Sequence, residues 1–159
     1  MGEHLIAANN LILGTVNFLV LPLPEGWELL DPGASPEVDA RVLLDGVSWT
    51  REGQAAYLLR LGDGRLARLD LRVAAALPPP PRLSPARGRL EVTVNDHPGR
   101  LEWGEARPLL GRLGRGRPLV TVGFSCPLTG RGVRLNLWGG LEAAERERLA
   151  TALAGLACH

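Results

Sequence analysis

Residues 118–157 read PLVTVGFSCPLTGRGVRLNLWGGLEAAERERLATALAGLA. Two runs rich in alternating apolar residues, 118–126 and 132–138, flank Pro127-Leu128-Thr129-Gly130, which predicts a β-hairpin. From residue 141 the period changes. Leu149, Ala152, Leu153 and Leu156 recur at helical spacing, and Glu142 and Arg146 stand four apart on the opposite side. The spacing predicts a helix over 141–157, too short to be stable alone in water. It must lie on something, with Leu149, Leu153 and Leu156 as the buried stripe. The expected fold class is therefore α+β: an antiparallel β-sheet with a C-terminal helix packed on one face.

Working outward, residues 66–76 (LARLDLRVAAA) alternate Leu69, Leu71 and Val73 with Arg68, Asp70 and Arg72, the pattern of a strand with one buried and one wet face. Residues 40–50 and 55–61 read as two further strands. Residues 4–8 and 11–21 read as an opening hairpin around Asn9-Asn10, stopped by Pro22 and Pro24. Strands at 89–94 and 100–103 flank a loop of Asn95-Asp96-His97-Pro98-Gly99. About six to eight strands follow from this turn spacing. Pro78 to Pro81 interrupt the chain with an extended polyproline segment. Neither side of it could close a core alone, so 77–88 is expected to be a surface crossover within one domain spanning 1–159.

Composition narrows the chemistry. All 18 basic residues are arginine. Without lysine there is no Schiff-base chemistry, no Walker A lysine and no serine–lysine pair. With 20 Gly and 13 Pro this bias suggests a GC-rich, thermophilic source. Residues 1–80 hold six Arg against ten acids (−4), and residues 81–159 hold twelve against seven (+5), a polarity able to orient a partner. Leu5 to Pro24 is uncharged but broken by Asn, Gly and Pro, and it lacks a basic flank. No signal peptide or membrane span is expected, and the cytoplasm is the default location.

Candidate site residues are few. Gly123-Phe124-Ser125-Cys126-Pro127 superficially resembles a nucleophile elbow, but Pro127 and a second strand follow where a helix is required. Ser125 is expected to alternate outward. Cys126 could be a thiol nucleophile served by His97, although no orienting carboxylate is specified. Cys126, Cys158, His97 and His159 suit zinc by type, yet no short-spaced chelating pair nucleates a site, so no metal and no cofactor are expected. Arg107, Arg112, Arg115 and Arg117 form a Gly-rich basic loop that could contact an anion or a partner. Stacking aromatics are missing there, which argues against nucleic acid. Turn chemistry explains Asn95, Asp96, Pro98 and Gly99 but leaves His97 unexplained.

A disulfide between Cys126 and Cys158 is expected from chain lengths. Strand 132–138 carries the chain about 23 Å from the hairpin turn, and helix 141–157 returns it over about 25 Å. The bridge would close a long loop and contribute about 2–4 kcal/mol.

The segment Asn17 to Leu30 (NFLVLPLPEGWELL) resembles the opening of PsbP-like and Mog-type domains, through Pro24, Gly26 and Trp27. The resemblance implies an antiparallel sheet flanked by helices that serves as a binding or assembly factor, with no catalytic residues to carry over. The functional expectation is a non-catalytic binding or assembly protein with a protein partner. The alternatives are a small thiol enzyme centred on Cys126 and His97, or a weak nucleic-acid binder through Arg107–Arg117.

Overall fold

The computed structural model describes residues 2–10, 14–30, 53–106 and 116–158. Nine strands and one helix are formed there: β1 (Gly2–Asn10), β2 (Gly14–Leu23), β3 (Glu28–Leu30), β4 (Gly53–Arg60), β5 (Leu66–Ala74), β6 (Leu83–Val94), β7 (His97–Ala106), β8 (Arg117–Cys126), β9 (Arg131–Trp138) and α1 (Ala143–Leu153). Strands β3 to β9 build one sheet in the order β3-β4-β5-β9-β8-β7-β6, and β1 pairs β2 in a separate ribbon. Every pairing is antiparallel. The molecule is an α+β arrangement, as the alternation and the C-terminal helical period imply.

Two meanders compose the large sheet. β3, β4 and β5 run as one, β6 to β9 as the other, and β9 joins them by pairing β5. The alternation of β5 continues across the seam: Leu69, Leu71 and Val73 face the same way as their partners Leu137, Leu135 and Val133. That face is the core. It is covered by Ile6, Leu19, Leu21 and Leu23 of the ribbon and by Leu149, Leu153 and Leu156 of the helical segment, all buried. The turn Pro24 to Trp27 leads out of β2, with Gly26 at φ +80° and the Trp27 N–H bonded to the Pro24 carbonyl. It drops the Trp27 ring into the same core.

The opposite face carries Arg68, Asp70, Arg72, Arg134 and Asn136, and the polyproline crossover runs over it. Leaving β5 beside β9, the chain must pass β9, β8 and β7 to reach the far edge as β6. Two glycines make room. A side chain on Gly132 would stand 2.2 Å from the Leu77 nitrogen, and one on Gly123 would stand 2.5 Å from the Arg134 guanidinium. Arg134 crosses Gly123 and donates to the Pro78 carbonyl from Nε (2.9 Å) and from a terminal nitrogen (2.8 Å). Its burial lowers the guanidinium pKa, with the Glu102 carboxylate opposing. Pro78 has no N–H to give a ladder, but its carbonyl still accepts, which fits this segment for docking by a side chain.

Several boundaries differ from the expectations. α1 ends at Leu153 rather than 157, because Ala154 and Gly155 turn the chain and Ala157 bonds both ways with Val20 of β2. Asn9 and Asn10 end β1 rather than forming its turn. The crossover is shorter than 77–88, since β6 already starts at Leu83. The expected strand at 40–50 lies outside the described residues. The described residues of the stretch Leu5 to Pro24 belong to the β1–β2 ribbon and the start of the turn that follows, and no helix is long and apolar enough to cross a membrane among the described residues.

Gly132→Ala should lower stability by about 1–3 kcal/mol, because the added methyl meets backbone rather than a movable side chain. Gly62→Ala, whose methyl meets nothing nearer than 3.8 Å, should stay within about 0.5 kcal/mol of the parent. Urea unfolding of both variants checks the pair.

Candidate functional site

The hairpin between β6 and β7 turns on two residues only. Asn95 and Asp96 adopt φ +48° and +62°, the geometry of a tight two-residue hairpin that Asn and Asp tolerate. His97 is consequently the first residue of β7, paired with Val94, and not a loop residue. Its neighbours on the same face are Gly99 and Leu101, so its ring is aimed at the core side. Cys126 ends β8 on that face, opposite Arg131 at the start of β9. The chain after α1 brings Cys158 to the same end of the sheet. One ligating atom each from His97, Cys126 and Cys158 falls within 4.8 Å of the others.

The electrostatics are those of a mostly dry pocket. Both cysteines are buried and His97 is half-buried. Burial pushes the Cys158 thiol up to about 11; the Asn95 amide, 3.5 Å from its sulfur, opposes this, and a hydrogen bond with Cys126 adds to it. Arg131 stands beside both sulfurs. Burial lowers its pKa, and charge on Cys126 and Cys158 would raise it. Proton loss from Cys158 is thus resisted chiefly by dehydration.

Cys158 returns to the neighbourhood of Cys126, but α1 covers only part of the distance, and the chain beyond Leu153, bonded to Val20, covers the rest. The sulfurs are thiols in this structure, and a disulfide would require them to close to about 2.0 Å. Ser125 is exposed on the outward side of β8. Arg117 is exposed at the start of β8, while Arg107, Arg112, Arg115 and His159 lie outside the described residues.

A second feature occupies the other end of the same face. A cleft of about 460 Å³ opens between β7, β8 and the start of α1, lined by Arg65, Arg87, Trp103, Glu105, Glu142 and Arg146 among others. Gly139 (φ +140°) and Gly140 (φ +72°) make the turn that carries the chain from β9 over the cleft into α1. Arg146 lies over the Trp103 ring at 4.6 Å and donates to the Leu141 carbonyl. This geometry takes it away from the expected pairing with Glu142. The Trp103 ring itself is packed over Gly88, where any side chain would collide with it. Arg65 donates to both oxygens of buried Glu145 at 2.9 Å, and Glu145 accepts the Glu142 N–H at 2.8 Å, fastening the helix start to the β4–β5 turn. Arg87 bonds Glu105. None of this cleft was apparent as a spacing in the sequence, because its residues come from five separate segments.

Since the Cys158 thiol loses its proton more readily unfolded than folded, its contribution to stability is complete below about pH 9 and is lost as pH rises toward about 11. Chemical unfolding in chelator-containing buffer at pH 8 and 10.5 should show a larger loss for the parent than for Cys158→Ser.

No protein-family model, no curated protein and no solved structure matches this chain.

Proposed function

We propose that the protein is a non-catalytic binding protein whose cleft between β7, β8 and α1 receives an acidic, partly apolar segment of a partner protein. The cleft itself is the observation that carries this reading. It has an aromatic floor in Trp103 and arginines from three segments, Arg65, Arg87 and Arg146, around it. The chain leaves β7 and re-enters β8 at its rim, where Glu105 pairs with Pro118. The sequence between the two strands includes Arg107, Arg112 and Arg115. An acidic segment would be steered toward Arg65, Arg87 and Arg146 and anchored by an apolar side chain at the part of Trp103 that stays exposed.

A nucleic acid fits less well. Among the described residues lining the cleft, Trp103 is the single aromatic, too few to stack successive bases of a strand. A thiol enzyme also fits less well. Cys126 and His97 do converge, but Cys126 is 1% exposed, and a nucleophile needs a path to its substrate. The resemblance of Asn17 to Leu30 to PsbP-like and Mog-type domains points the same way, toward binding or assembly.

A Glu-rich probe peptide with one central Phe should shift the amide resonances of Gly104, Gly139 and Gly140, with affinity falling as salt rises. Arg87→Glu, at an exposed position, should weaken it about tenfold with the fold intact. Shifts confined to the Arg68–Arg72 face, or none at millimolar peptide, would refute this assignment.

A further inference from the structure

The His97, Cys126 and Cys158 cluster lies at the opposite end of the sheet from the cleft and has no part in the binding role. Three features of it belong together. The ligating atoms come from three separate elements, the start of β7, the end of β8 and the chain beyond α1, yet all lie within 4.8 Å of one another. Two are sulfurs and one is an imidazole nitrogen, the donor set of a thiophilic divalent ion. Around them stand N–H donors suited to metal-bound sulfur: the Asn95 amide at 3.5 Å from Cys158, and the Arg131 guanidinium beside both cysteines.

From this convergence we propose that His97, Cys126 and Cys158 form a zinc site that fastens the chain beyond α1 to the sheet. Tetrahedral zinc, with Zn–S near 2.3 Å and Zn–N near 2.0 Å, sets its ligand atoms about 3.4–3.8 Å apart. The observed cluster reaches that shell with movements of about 1 Å or less, which side-chain rotation supplies. Two thiolates balance the charge of the ion and the imidazole is neutral. Arg131 then donates to sulfur from outside the shell. The fourth position falls to water or another small ligand on the half-exposed His97 side. The binding step is balanced without redox change: one Zn²⁺ enters, two S–H bonds break, two Zn–S bonds form, and two protons leave to solvent.

Two other uses of the same atoms explain less. A disulfide between Cys126 and Cys158 would use the two sulfurs and not the imidazole that converges on them. A catalytic thiol would be poorly served by burial. Zinc uses all three residues, and the burial of both sulfurs limits solvent access to the Zn–S bonds.

The test uses the full chain, reduced and stripped of metal, titrated with Co²⁺ as the spectroscopic probe and then with Zn²⁺. One equivalent of Co²⁺ should produce an intense near-ultraviolet thiolate-to-cobalt band and visible bands of tetrahedral cobalt, both erased by one equivalent of Zn²⁺. An indicator dye should register two protons released per zinc near pH 7. The unfolding midpoint should rise by about 10 °C at zinc 1,000-fold above its dissociation constant. Cys126→Ser and Cys158→Ser should each remove about half of the charge-transfer intensity and weaken binding at least 100-fold. His97→Gln is expected to fold even where the buried substitutions do not; it should keep the charge-transfer band and bind about 10- to 100-fold more weakly. The proposal is overturned by a reduced parent protein that binds neither ion saturably. It is equally overturned by binding that survives all three substitutions, or by an unreduced protein carrying a Cys126–Cys158 disulfide whose reduction yields no metal binding.

Discussion

The β5–β9 ladder is the pairing on which the rest of the architecture depends. Seven rungs, from Arg68–Trp138 to Ala74–Gly132, join two meanders that would otherwise be separate small sheets. Once β9 sits between β5 and β8, the chain from β5 has to travel over the outer face to reach β6. The polyproline segment, the two glycines beneath it and the buried arginine that grips Pro78 all follow from that detour. The helix is fixed by the same event. Gly139 and Gly140 turn the end of β9 back over the apolar face, and the chain beyond α1 then bonds Val20 of the ribbon. One pairing thus determines the contents of both layers.

Much of this is legible in the sequence where local chemistry and long-range packing agree. The alternation of Leu69, Leu71 and Val73 with charged neighbours reads directly as a half-buried strand. Pro127 to Gly130 marks the β8–β9 hairpin, and the period of Leu149, Leu153 and Leu156 marks the helix. His97 is harder to read because a two-residue and a five-residue turn are both compatible with Asn95 to Gly99. Only the first of these puts the imidazole on the core face. The helix end was equally obscure, since Leu156 continues the helical period although the backbone has already left the helix to bond with β2. Tertiary bonding overrode propensity there.

The two sites were legible to different degrees for a related reason. Opposed directions of β9 and α1 point Cys158 back toward Cys126, and the bonds of Ala157 to Val20 complete the return. Nothing in the spacing says that Arg65, Arg87, Trp103 and Arg146 meet, because that depends on strand order, and strand order depends on the β5–β9 pairing. The same order sets β6 on the outside of the sheet, and that strand is poorly suited to recruiting another. Its register slips twice between Leu83 and Gly88, Pro85 lacks an N–H, and Arg87 and Arg89 are exposed. Bulges, proline and charge each discourage pairing along an open edge.

The position of β9 has a further consequence for the chain as it leaves the ribosome. β9 is the last of the described strands to be synthesised, yet it belongs at the seam of the sheet. Until residues 131–138 emerge, both β5 and β8 present open edges, and neither carries the register slips that protect β6. The nascent protein therefore passes through a stage with two half-sheets, each showing a long apolar face. Substitutions that slow the arrival of β9 would be felt as aggregation during synthesis well before they are felt as instability of the finished fold.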